Sequence, residues 1–190
     1  MKNSLSIQKQ LQKGFTLVEL LIVVIILAIL AAIVVPQFAS TTDDAKVSSL
    51  DSTLSNMRSA IALYRQQHTA YPGNLISSGG VAACTTAGGV LGTGTTANTE
   101  TAFLDQLAYY SNSAGKTCTA RGAGNEFPLG PYIQKREIPK NPITDSNVLA
   151  PFSTAGVLGL TTLTAGGGWK YDSVSGQFIA DDTNKGYNTH

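Results

Sequence analysis

From Phe15 to Val35 every position is apolar except Thr16 and Glu19. A helical block of about 21 residues at about 1.5 Å each reaches across a hydrocarbon layer of about 30 Å, so a single membrane span is predicted here. Glu19 is its anomaly: a carboxylate in mid-bilayer costs roughly 3 kcal/mol on insertion scales, and such residues mark function by default. Pro36 stands where the span should end, and its missing N–H predicts a kink or a loosened turn. Beyond it, Val47, Leu50, Leu54, Met57, Ile61 and Tyr64 recur at alternating spacings of three and four. That is the stripe of an amphipathic helix and fits no alternation of period two. Pro72 and Gly73 in "HTAYPGNL" supply the stop, so one helix is expected from Phe15 to about His68.

The remaining pattern is weaker. "TAFLDQLAYY", Thr101 to Tyr110, suits a short helix through Phe103, Leu104 and Leu107. Near the end, "GGGWKYDSVSGQFIAD" alternates Trp169 and Tyr171 on one side, turns over Asp172 to Gly176, and returns from Phe178. This predicts a β-hairpin laying aromatic rings on the spine helix. Between them, residues 66–99 contain no Asp, Glu, Lys or Arg and read as an exposed loop. The glycines of "GGVLGTG" lack the Gly-Lys-Ser/Thr and the leading strand of a phosphate loop.

Charge changes the picture at the start of the chain. The formal net charge is +1, yet residues 1–14 hold Lys2, Lys9 and Lys13 and no acid, so the rest is slightly acidic. Lysines on one side of the span predict a cytoplasmic N-terminus and a head on the far side. The alanines of "AILAAIVVPQF" also suit a signal-peptide cleavage site. The length of the block, Glu19 and the helix that follows favour a retained anchor. Asp44, Asp51, Arg58 and Arg65 recur every seven residues with acids first, matching the helix dipole; they form either a solvated border or a lateral contact between subunits. Nucleic acid would find only Lys135, Arg136 and Lys140 around Glu137, so no nucleic-acid partner is expected.

Candidate chemistry is sparse. If the head is exported, Cys84 and Cys118 are positioned to close a disulfide loop worth roughly 3–4 kcal/mol; two buried thiols are the alternative. His68 and His190 have no neighbours suggesting a triad or a metal cluster, and no enzymatic activity is expected.

"KGFTLVELLIVVIILAILAAIVVPQF", residues 13–38, resembles the N-terminus of type IV prepilins and of type II secretion pseudopilins. The resemblance implies an α+β fold, a long N-terminal helix packed against a small antiparallel β-sheet head. It implies a leader, residues 1–14, cut by a prepilin peptidase between Gly14 and Phe15, with N-methylation of Phe15. The assembly helix would then be residues 15–36, the amphipathic spine 37–68, and the head 69–190, periplasmic or extracellular. In a filament of staggered helices, Glu19 would lie beside the amino terminus of the next copy and set the register; snorkelling to the interface is the plainer alternative.

"IPKNPIT" and the W-x-Y-x-x-x-x-G hairpin resemble the tail of pseudopilins, which favours a type II secretion pseudopilin over a type IV pilus subunit for adhesion, motility or DNA uptake. A solitary membrane-tethered binding module is the competing class. The implied partners are further copies of the chain, an inner-membrane assembly platform, and minor pilins or pseudopilins. The implied location is the bacterial inner membrane, with the filament in the periplasm or on the cell surface. No cofactor is implied beyond a weak calcium expectation, for which Asp172, Asp181, Asp182 and Asn184 could supply oxygens.

Overall fold

The computed structural model describes residues 15–79, 82–122, 124–156, 158 and 167–181. Helix α1, Leu17–Gln67, continues through Pro36 without a break in its assignment. The chain forms two compact units, Met1–Asp44 and Ala45–His190.

In the first unit the described part of α1 is exposed from Leu17 through Val35. Leu17–Val35 is the one helical stretch among the described residues long and apolar enough to cross a membrane, and none of it is buried.

In the second unit the predicted stripe is the core face. Leu50, Leu54, Met57, Ile61 and Tyr64 are buried and Val47 is partly so. The helix ends after Gln67, where the His68 N–H donates to the Tyr64 carbonyl. Gly73 follows at φ 85°, where a Cβ would meet the Phe152 ring at 2.6 Å, so only glycine fits this turn.

Three strands pack against that face in the order β3-β4-β5: β3 is Leu149–Ser153, β4 Trp169–Asp172 and β5 Phe178–Ala180. The expected hairpin is β4 and β5, antiparallel with Tyr171 opposite Phe178, and Gly176 takes φ 74° in its turn. β3 adds a feature the alternation did not predict, since it pairs with β4 in parallel, with an irregularity between Leu149 and Phe152. β4 is therefore central and all four of its residues are buried. Trp169 stacks near Phe178 at 5.2 Å and Tyr171 meets Phe103 at 4.5 Å. Their polar ends are satisfied: Trp169 Nε1 donates to the Pro139 carbonyl and the Tyr171 hydroxyl to that of Pro72.

The stretch read as an exposed loop is more ordered than its composition suggests. It contains α2, Ala82–Thr86, and leads into α3, Glu100–Ala108, whose N-cap Thr99 accepts from the Ala102 N–H. β1, Tyr110–Ser111, and β2, Thr117–Cys118, pair antiparallel. A second small core of Cys84, Cys118 and Phe127 lies here, edged by Leu91, Tyr110 and Ala120.

Candidate assembly site

The first turn of α1 has a local logic in four residues. Thr16 precedes the helix and Glu19 is its third residue, the spacing at which a threonine cap and a glutamate satisfy each other. The Thr16 N–H and hydroxyl each donate to Glu19 Oε2 at 2.9 Å, and the Glu19 N–H donates to Thr16 Oγ1 at 3.2 Å. The anomalous carboxylate is thus the closing half of a capping box. The signal T-x-x-E ahead of an apolar run was present in "TLVE", and hydropathy reasoning passed over it. The box explains how Glu19 is oriented, but two hydrogen bonds do not neutralise a charge, and a carboxylate in hydrocarbon still carries a desolvation penalty. Phe15 is 84% exposed. Residues 1–14, Gly14 among them, lie outside the described residues, as does the side chain of Pro36.

The two arginines of the seven-residue series are engaged within their own unit. Arg58 Nε donates to the Phe178 carbonyl, and Arg65 donates to the His68 carbonyl and sits over the Tyr71 ring. The basic run is likewise occupied: Lys135 pairs with Glu137, Arg136 with Asp105 and Lys140 with Asp145.

Cys84 and Cys118 form a disulfide with a Cα separation of 5.8 Å. A second tether accompanies it. Asp105 in α3 is fully buried, and its Oδ2 accepts from the Ser77 hydroxyl and from the Thr93 and Gly94 N–H groups. Its Oδ1 accepts from Arg136 Nε. The adjacent Gln106 takes the Gly73 N–H and donates to the Leu75 and Gly115 carbonyls. These two side chains draw four loop segments onto one helix. Gly94 fits because a Cβ there would stand 2.5 Å from Ser77 Oγ, which makes "GTG" a packing element. Sequence reasoning missed this hub; the available signal was an Asp-Gln pair flanked by apolar residues in "FLDQL".

Of the calcium candidates, the two described ones, Asp172 and Asp181, lie at opposite ends of the hairpin. Asp172, at the turn end of the hairpin, accepts from the Val174, Ser175 and Gly156 N–H groups and the Ser175 hydroxyl. Burial raises its pKa, but donors from Ser175, Ser153 and Val174 outweigh that and hold it below the ordinary value. Asp181 lies at the opposite end beside Lys170, both fully buried with Nζ to Oδ1 3.7 Å. Asp182 and Asn184 are outside the described residues. Among the described residues no group of three His, Cys, Asp or Glu could hold a metal.

His68 is buried against Tyr64 and Ser111, while His190 lies outside the described residues. A groove between α1 and the 132–139 segment is lined by Met57, Ala60, Leu63, Tyr132 and Pro139, with Lys135 and Glu137 at its polar side. Its residues form no nucleophile–base arrangement.

Residues 9–35 match the model of the prokaryotic N-terminal methylation motif. The chain is 44% identical over 65 residues to the type II secretion system core protein G of Pseudomonas aeruginosa, covering 34% of this chain and 46% of that one. It is 44% identical over 69 residues to a fimbrial protein of Neisseria meningitidis serogroup B, covering 36% and 41%. It is 47% identical over 60 residues to the type IV narrow pilus major component of Thermus thermophilus, covering 32% and 52%. The similarity thus spans about half of each relative or less. No solved structure matches. The relatives are structural pilins and pseudopilins, and nothing in the described residues shows catalytic chemistry. With its capping box, its apolar helix and its methylation motif, this chain is prepilin-like, similar over about a third of its length to a type II secretion core protein and to type IV pilins alike.

Proposed function

We propose that the chain is a membrane-anchored filament subunit that polymerises through the N-terminal half of α1. The carrying observation is the methylation motif over residues 9–35 running into a helix with no buried residue through Val35. So large an apolar surface needs lipid or sister helices around it. In this reading a prepilin peptidase cuts between Gly14 and Phe15 on the cytoplasmic side and methylates Phe15. The head stands beyond the inner membrane, and an assembly platform and minor subunits start the polymer. The new α-amino group, with an ordinary pKa near about 8, is largely cationic at neutral pH. Thr16 holds Glu19 toward that end of the helix, so the carboxylate of one copy meets the terminus of the next and sets the register. Pro36 relieves one backbone hydrogen bond where the anchor gives way to the spine.

The intact mass of the mature protein tests the processing: loss of residues 1–14 and gain of one methyl group is expected, and an unprocessed Met1 terminus overturns the proposal in favour of a solitary tether. Glu19→Leu tests the register. Cleavage and insertion should persist while filament yield falls by an order of magnitude or more, and normal yield sinks the idea.

Within this class we favour the secretion-type filament, whose growth drives protein export. The support is the Trp169-x-Tyr171 hairpin behind a proline-rich turn and the similarity to core protein G. The pilus reading draws on fimbrial relatives of equal identity. Deleting the gene separates them. Loss of an exported protein from the medium, with no long fibres in sheared surface material at native expression, supports the secretion filament; surface fibres that vanish on deletion support the pilus.

A further inference from the structure

Among the described residues the head has two hydrophobic cores, and the disulfide belongs to the smaller one. The larger is shared by α1, α3 and the three-stranded sheet. Cys84, Cys118 and Phe127 form the other, edged by Leu91, Tyr110 and Ala120. Residues 82–90, which contain α2, carry no charge and are mostly exposed, and Cys84 is the one buried residue in them. Among the described residues, the hydrogen bonds of 82–89 stay inside the segment. The Thr85 and Thr86 hydroxyls donate to the Ala82 carbonyl, and the Ala87, Gly88 and Gly89 N–H groups donate to the carbonyls of Ala83, Thr85 and Cys84. Val90 reaches out, with its N–H on Thr119 Oγ1 and its carbonyl taking the Thr119 N–H. A helix of five residues is too short to hold its shape unaided. Cys84 is therefore the peg that seats it. Gly89 lies against the bond, since a Cβ there would stand 2.5 Å from Cys118 Sγ.

The base of this segment is closed without the cysteines. The Ser77 and Ser78 N–H groups both donate to the Gly94 carbonyl, and the Gly94 N–H donates to Ser77 Oγ. Asp105 gathers Ser77, Thr93 and Gly94 from α3. β2 is fixed at the same point, because the Thr117 N–H donates to the Ser77 carbonyl. None of these contacts uses sulfur, and none belongs to the larger core. What the S–S bond adds is the covalent tie between residues 82–89 and the rest of the head. Without that tie, opening of a segment that buries so little is a local event of low cost.

We propose that the Cys84–Cys118 disulfide is a redox-sensitive lock: oxidised, it seats residues 82–90 on β2, and reduced, it releases that segment alone while the Asp105 base, the spine and the hairpin stay folded. The chemistry is thiol–disulfide exchange with a dithiol. A thiolate of the reductant attacks one cysteine sulfur, the S–S bond breaks, and the second thiol of the reductant closes a disulfide of its own. Two electrons pass to the protein and, with two protons, leave Cys84 and Cys118 as thiols. The lock lies within the second unit and does not depend on the filament reading.

The test uses the full chain in detergent micelles. Both cysteines are fully buried, so reduction is done in denaturant with dithiothreitol, followed by refolding in the same reductant. Relative to the oxidised protein, amide exchange at residues 83–90 should accelerate by about tenfold or more, with 50–64 and 169–180 unchanged. Iodoacetamide should alkylate Cys84 of the refolded, reduced protein at close to its rate in the unfolded chain. Protection retained at 83–90, acceleration shared by 50–64 and 169–180, slow alkylation, or a reduced chain that does not refold each overturns the lock. Cys84→Ala with Cys118→Ala keeps small apolar side chains at both positions and removes the cross-link. This variant should show the exchange pattern of the reduced chain; protection like that of the oxidised protein, or failure to fold, refutes the proposal.

Discussion

Among the carboxylates in the helices of this protein, Glu19 and Asp105 have opposite surroundings. Glu19 opens α1 on a helix with no buried residue around it and receives donors from Thr16 alone among the described residues. Asp105, in α3, is fully buried and receives three uncharged donors and a guanidinium, all from its own chain. The head completes its buried charge internally, as a folded core must. The first turn of α1 orients its charge through Thr16 alone among the described residues. What differs is how many donors the single chain supplies to each carboxylate.

The contrast is broken most directly at Asp105. Asp105→Ala strands the Ser77 hydroxyl, two backbone N–H groups and Arg136 together. A stability loss of about 3–5 kcal/mol is expected by chemical denaturation of the head, and a loss under about 1 kcal/mol would show the hub to be dispensable. Next in size, Cys84→Ser with Cys118→Ser should lower stability by about 3–4 kcal/mol and slow the chain in non-reducing electrophoresis after unfolding. Combining this pair with Asp105→Ala should give a loss different from the sum, because both tether the same loops.

At the other pole, Thr16→Ala removes the cap. A loss of about 1 kcal/mol should confine itself to the first turn, read as faster amide exchange at residues 17–20 with the head's Tm unchanged. A shifted head Tm would mean the two regions are not independent.

The smallest effect sharpens the head side. Asp172 has its pKa lowered on folding, so its contribution is present above the ordinary 3.8 and is lost as pH falls through the lower folded value. Asp172→Asn should flatten the acid limb of stability against pH below about 4 and leave neutral-pH slopes unaltered. An acid limb that Asp172→Asn leaves unchanged would show that this carboxylate contributes nothing to it.

Much of the architecture was legible because it rests on periodicity. The stripe from Val47 to Tyr64 became the core face, "TAFLDQLAYY" became α3 within a residue or two, and Trp169 to Phe178 became the hairpin. Each signal is local, with its geometry set by neighbours three, four or two residues away. The parallel strand Leu149–Ser153 was not legible, since its hydrogen bonds run to a segment beginning 20 residues later and its residues show no alternation. The low-complexity stretch misled for a related reason. Glycines and threonines look solvated in a string, yet the Thr93 and Gly94 N–H groups converge on a distant aspartate and the Gly92 N–H donates to the Thr117 carbonyl.

From its own order of residues the chain determined an apolar span, an anomalous acid with its threonine cap, a striped spine and a terminal hairpin, because hydropathy period and capping are short-range properties of the backbone. Tertiary structure alone decided that Asp105 and Gln106 gather four loops, that β3 joins in parallel, that Asp172 and Asp181 face different donors, and that His68 closes the helix onto β1. Those outcomes depend on which polar groups remain in need of a partner once the core has collapsed, and that demand is created only when distant segments are brought together.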